Sequence, residues 1–197
     1  MSRILIIGED VLCCSVGEKI IAALMPEWQL AGPSIDAKGI TKLTPNLGRY
    51  AQQAQYVQPV FCIADTDGNC PVDLISIWRP LYASRDFVFR LADAEIESWI
   101  LADRSGFSSH FQVTANKIPG NIDKVADPKR LILNLISRSR KRIFRDEMVS
   151  PTDLNKRGSG YNIHLKNFVR NKWSLDNARE NSSSLNRAIS NLTELVS

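Results

Sequence analysis

Histidine is almost missing from this chain: its 197 residues include only His110 and His164. Cysteine is sparse and poorly placed for metal, since Cys13 and Cys14 are adjacent, Cys62 lies inside an apolar run and Cys70 follows an acidic turn. Without paired cysteine spacing or spare imidazoles, a structural zinc site is not expected, and the scattered thiols fit a reducing compartment better than a disulfide framework. No apolar stretch approaches the ~20 residues needed to cross a bilayer. Met1, Ser2 and Arg3 lead directly into a strand-like run with no cleavage-site pattern. A cytoplasmic protein with no membrane partner is therefore expected. There is no Walker lysine loop, no G-x-G-x-x-G and no G-x-S-x-G, and the acidic turn lacks the spacing of an EF-hand.

What is present is a globular composition, 44% hydrophobic and 23% charged, in a chain long enough for one large domain or a domain with an appendage. The first hundred residues alternate strand and helix patterns. Residues 4–7 read as a strand. Leu12, Val16, Ile20 and Leu24 mark one helix face. A weak strand region over 28–38 is interrupted by Gly32 and Pro33, and a helical stripe over 41–55 tolerates Pro45 only near its start. Strands are predicted over 56–64 and 86–92, with a short helix from Pro71 to Trp78 between them and another over 93–103. The pattern predicts an α/β domain with a mostly parallel sheet covered by helices on both faces.

The acidic residues are placed in a telling way. Val60-Phe61-Cys62-Ile63-Ala64 ends in Asp65-Thr66-Asp67-Gly68, Glu9 and Asp10 follow the first strand, and Glu95 and Glu97 follow the last. Any one such cluster reads equally well as a turn, because Asp and Gly favour turns. Parallel strands of successive βαβ units end on one rim, so the three clusters converge there, and crowded carboxylates are unfavourable without a cation. A hard divalent ion, Mg²⁺ or Mn²⁺, is the expected ligand. A nucleotide-sugar transferase would also use an Asp-x-Asp, but nothing here looks like its sugar-binding half.

Beyond Gly106 the alternation stops. Residues 107–124 read as a loop anchored by Phe107 and Phe111. A helix opening at Asp127 and Pro128 carries Leu131, Leu135 and Ile136 and ends in a dense basic run over 138–145. A basic loop with Lys156 and Arg157, an amphipathic segment with His164, Leu165, Phe168 and Trp173, a polar Asn/Ser linker and a closing helix on Leu185, Ile189, Leu192 and Val196 complete the chain. The formal net charge of +4 is uneven: residues 117–172 hold 14 Lys/Arg against 5 Asp/Glu, and the rest 11 against 16. Such asymmetry points to a polyanion partner, although a basic helix end also complements the helix dipole. Two units are expected: an α/β domain over 1–125 and a basic helical extension over 126–197 packed on it.

Gly8-Glu9 after a strand, Asp65-Thr66-Asp67-Gly68 after another, Glu95-x-Glu97-Ser98-Trp99 followed by Leu101-Ala102-Asp103, and Asp127-Pro128-Lys129 together resemble the toprim domain. The likeness is to its small stand-alone bacterial branch, which is similar to the nuclease half of overcoming-lysogenization-defect proteins and is often encoded beside an ABC-type ATPase in phage-defence loci. The resemblance spans about residues 3–130. It implies a Mg²⁺- or Mn²⁺-dependent nuclease, more an endonuclease than an exonuclease. Glu9 would be the first-motif glutamate, Asp65 and Asp67 the metal-binding pair, Glu95 and Glu97 the ligands of a second metal, and Lys129 the group that stabilises charge at the phosphate. Lys129, Arg138, Arg140, Lys141, Arg142, Lys156 and Arg157 would hold nucleic acid, DNA or RNA, and the ATPase would be the protein partner. The chain departs from the pattern at Cys13, where many relatives place a second acid. The alternative expectation is a non-catalytic toprim-like subunit that uses the same basic surface as a scaffold.

Overall fold

The structure is a computed structural model that describes residues 2–195. Strand β1 (Arg3–Gly8) is followed by helix α1 (Val11–Leu24), the two-residue strands β2 (Gln29–Leu30) and β3 (Ile35–Asp36), and helices α2 (Ile40–Leu43) and α3 (Leu47–Tyr56). Strand β4 (Val60–Asp65), helix α4 (Pro71–Trp78) and strand β5 (Phe87–Ala92) complete the sheet. Every ladder pairing is parallel, in the order β2-β1-β4-β5, with β3 also on β1. The weak strand region is thus split in two at Gly32 and Pro33, and both halves add to one edge of β1. Pro45 breaks the expected 41–55 helix into α2, a 3₁₀ turn and α3.

Strand residues point alternately to two cores, as the pleat requires. Ile4, Ile6, Phe61, Ile63, Val88 and Ala92 face one core, and Leu5, Ile7, Val60, Cys62, Phe87 and Phe89 the other. The second core is closed by α3 and the partly buried side of α4. The first is far larger. It takes in α1, then α5 (Glu97–Ala102), α6 (Arg104–Phe111), α7 (Pro128–Ile136), α8 (Arg142–Met148), α9 (Tyr161–Asn171), α10 (Leu175–Asn181) and α11 (Ser183–Thr193), so one buried cluster runs from Ile4 to Leu192. The fold is α/β with a parallel sheet between helical layers. Close approach of α1 to the sheet depends on Gly17: a Cβ there would lie 2.9 Å from Ile6 Cγ2.

Three local expectations change. Residues 104–111 form helix α6 rather than a loop, because Asp103 caps it by accepting a bond from the Gly106 amide. The polar 174–182 segment is helix α10 rather than a linker, capped by Ser174. The basic 138–145 run is not one helix end: α7 stops at Ile136, and buried Ser139 turns the chain by bonding the Phe111 carbonyl before α8 starts at Arg142. The closing helix packs through Leu185, Ile189 and Leu192, while Val196 lies outside the described residues.

Candidate active site

The acidic clusters do meet on the carboxyl-end rim of β1, β4 and β5. The turn after β1 is tight: a Cβ at Gly8 would lie 2.6 Å from the Cys14 amide nitrogen, so no side chain fits. Asp10 is used as the α1 cap, its Oδ1 accepting from the Leu12 and Cys13 amides at 2.9 Å each. Glu9 is thereby left to face the neighbouring strand, where its Oε2 accepts from the Asp65 amide at 3.0 Å. Burial pushes the Glu9 carboxyl above its ordinary range, partly offset by the Asp65 amide.

Asp65 ends β4. Its Oδ1 accepts from the Ile96 amide at 2.8 Å, and Cys13 Sγ lies 3.9 Å away. Burial, followed by repulsion from Glu97, Glu9 and Asp10, pushes Asp65 up to about 9. Cys13 is fully buried and its thiol is pushed well above its usual value by burial and by Asp65, so it is a neutral donor to Asp65 rather than a ligand. Buried Thr66 fixes the loop: its Oγ1 accepts from the Ala94 amide at 2.8 Å, while its own amide donates to Ala92. Asp67 then turns outward at a φ of 48°, facing Ala94, itself at 56°. Left-handed backbone at two non-glycine residues is costly and persists only where the surroundings impose it.

Glu97 opens α5 and is buried, 2% exposed. Its Oε1 accepts from Tyr161 Oη at 3.2 Å and lies 3.8 Å from Lys129 Nζ. Burial raises Glu97 to about 7, against the pull of the Lys129 ammonium. Lys129 stands in the first turn of α7, where Asp127 caps the helix and Pro128 starts it. Its backbone amide donates to Glu95 Oε2 at 2.9 Å and its Nζ to Glu95 Oε1 at 2.5 Å. Burial lowers the Lys129 pKa, but Glu97 and Glu95 outweigh it and hold the ammonium protonated.

The five carboxylates therefore fall into two shells. Glu9, Asp65 and Glu97 are the inner group. Asp67 and Glu95 border an open cavity of about 560 Å³, together with Lys129, Arg130 and Asn155. As the side chains lie, no three His, Cys, Asp or Glu converge closely enough to ligate one ion among the described residues. The donor set is nonetheless all oxygen, as a hard divalent cation requires. Asp65 is raised first by burial and then by repulsion from its carboxylate neighbours, and that repulsion is what such an ion would offset.

The candidate phosphate-binding residues separate. Lys129 is in the site, and Arg157 is close enough to act on it electrostatically, 5.8 Å over the Tyr161 ring. Lys156 pairs with Asp153 at 3.6 Å in the same loop. Arg138, Arg140, Lys141 and Arg142 lie past the far end of α7, which runs about 10 Å from Lys129 to Ile136 at 1.5 Å per residue. There Lys141 sits over Phe144 and Arg142 pairs with Asp146. Thr66 and Tyr161 were not legible as site residues, since their roles arise from contacts with residues 94 and 97. Comparison with protein-family models, curated proteins and solved structures gave no match to this chain.

Proposed function

We propose that this chain is a Mg²⁺- or Mn²⁺-dependent nuclease that hydrolyses nucleic-acid phosphodiester bonds at the carboxyl-end rim of its sheet. The observation that carries the reading is the convergence of Glu9, Asp65, Asp67, Glu95 and Glu97 from three strand ends, with Glu95 and Glu97 both on Lys129 and with Asp65 raised to about 9 by burial and by its carboxylate neighbours. Crowding of this kind at a strand-end cleft is a feature of sites rather than of turns.

When bound, the cation would supply positive charge to the phosphoryl group in transfer. Asp65 and Glu9 would hold it from the inside, with Asp67 and Glu95 on the open side. Lys129, kept protonated by its two glutamates, would offer its ammonium to a phosphate oxygen, and Glu95 would be among the residues that hold the ion. Tyr161 holds Glu97 in place through Oη, and Arg130 with Arg157 would position the backbone of the strand. Restraint by an ABC-type ATPase belongs to the same proposal and rests on the toprim resemblance.

The second reading, a non-catalytic nucleic-acid-binding or scaffold subunit, is favoured by one observation: Lys129 already neutralises Glu95 and Glu97. Plasmid nicking and RNA cleavage with Mn²⁺, run beside Mn²⁺ calorimetry, separate the two. Cleavage that is lost in Asp65→Asn and Asp67→Asn supports the nuclease. Silent calorimetry with an inert parent, or equal cleavage by the variants, overturns it.

A further inference from the structure

Strand β5 ends the sheet, and among the described residues its outer edge has no partner strand. Val60 donates to the Asp86 carbonyl and Thr66 to that of Ala92, so the even-numbered residues of β5 bond to β4. In a parallel ladder the alternate residues then turn their amides and carbonyls outward. Phe87 spends its amide on Ser84, while among the described residues no bond outside the regular elements uses the backbone of Phe89 or Leu91. A groove of about 260 Å³ follows this edge, walled by Ile75 and Arg79 on one side and by Asn191 and Glu194 on the other.

The groove is strongly cationic. Arg79, Arg85 and Arg90 line it, and burial, then Arg79 and Arg187, depress Arg90 against the opposing pull of Glu194. Arg90 points inward from the edge strand, and its buried Nε has no hydrogen-bond partner. One inward charge on an edge strand commonly serves to stop pairing between copies. Here several arginines gather around an orphaned donor, with Glu194 as the carboxylate lining the same groove. The adjoining α4 adds an apolar margin: Val72 and Ile77 are 73% and 74% exposed, and Leu81 and Tyr82 are exposed just beyond.

We propose that the free edge of β5 receives an extended acidic segment of a partner protein, which adds a strand to the sheet, sets its carboxylates against Arg79, Arg85 and Arg90, and covers the apolar side of α4. Main-chain bonds give such strand addition its affinity, and side-chain pockets give it specificity. A second copy of this chain would bring the same arginines face to face and is disfavoured by charge. A nucleic acid would satisfy the arginines but would leave the outward amides and the Ile77, Leu81 and Tyr82 surface without use. The inference is independent of the nuclease reading, and its test needs neither metal nor cleavage.

The test uses the full chain with three probes: a labelled synthetic peptide alternating glutamate with valine, its lysine counterpart, and a single-stranded DNA oligonucleotide. The acidic peptide is expected to bind saturably, the lysine peptide not to bind, and amide exchange at Phe89 and Leu91 to slow on binding. Arg79→Glu with Arg85→Glu should weaken the acidic peptide by roughly tenfold, the scale expected for rim charges. Arg85→Glu alone, at a side chain 90% exposed, weakens it less and keeps the test decisive if the double variant does not fold. Failure of the acidic peptide to bind, equal binding to the variants, or unchanged exchange at Phe89 and Leu91 overturns the proposal. So does oligonucleotide binding that depends on these arginines while the peptide stays free, or self-association that protects the same two amides.

Discussion

Two partly buried carboxylates in this molecule behave in opposite ways. Asp123 ties the loop before α7 to the start of α11, and Asp65 ends the central strand. Burial raises the pKa of each, but Asp123 receives bonds from Ser182 Oγ, Ser183 Oγ and the Ser183 and Ser184 amides, and these outweigh burial and pull it below its ordinary value. Asp65 receives one amide and a distant thiol, faces Glu97, Glu9 and Asp10, and rises to about 9. Burial alone therefore does not distinguish a structural acid from a reactive one. What distinguishes them is whether the fold supplies donors or further acids.

The comparison breaks first on stability. Asp103 is another acid held by donors: fully buried, it accepts from the Gly106 and Ser174 amides and from Asn177, joining α6 to α10. Asp103→Ala should cost about 4 kcal/mol in urea unfolding, because it leaves buried donors without acceptors. A loss below about 1 kcal/mol would show that this clamp is not structural. The next effect concerns the rim. Mn²⁺ at a hundredfold excess over its dissociation constant should stabilise the parent by about 2.7 kcal/mol and raise its Tm. The increase should vanish in Asp65→Asn, and an equal increase in that variant would remove Asp65 from the ligand set.

The two acids also predict opposite pH dependences. Asp65 has a folded-state pKa raised from 3.8 to about 9, so its contribution is present at low pH and is lost as pH rises through that window. Asp123 has its pKa lowered from 3.8, so its contribution is present above that value and is lost as pH falls below it. Unfolding measured from pH 3 to 9 in Asp65→Asn should show a flatter alkaline limb with the acid limb kept. Asp123→Asn should show the reverse. At pH 7, well into that window, Asp65→Asn should leave the protein at least as stable as the parent, since Asn keeps the acceptor for the Ile96 amide and removes both the titration and the repulsion. A steep alkaline limb left unchanged in Asp65→Asn would contradict the origin assigned to it.

Much of this contrast could be read from local sequence, and some could not. The strands, their parallel pairing and the three acidic exits follow from continuous apolar runs that end near Gly8, Asp65 and Ala92. Pattern reading stopped where meaning depends on distant partners. Asp123 looks like an ordinary loop acid until Ser182, Ser183 and Ser184 arrive from about sixty residues away. The same serines, read as a polar linker, are the cap of α11. Cys13 is a departure from an acidic pattern in the sequence, and in the fold it is a thiol beside Asp65. The basic run over 138–145 was visible as composition, but the turn at Ser139 that carries it away from Lys129 depends on the Phe111 carbonyl, which no local rule reveals.

The smallest effect sharpens the contrast within the rim itself. Tyr161 is 1% exposed, and its phenol, pushed well up by burial and by Glu97, stays protonated and donates to Glu97 Oε1. Tyr161→Phe keeps the packing and removes that one donor, so stability should fall by about 1 kcal/mol. The bond favours the charged carboxylate, so its loss should move Glu97 upward from about 7, as read by carboxyl-carbon NMR titration. Lys129→Met should move it further in the same direction, because the ammonium is the main influence holding Glu97 down. If Tyr161→Phe leaves the Glu97 titration where it was while Lys129→Met shifts it, Tyr161 is a packing residue and the rim owes its tuning to Lys129 alone.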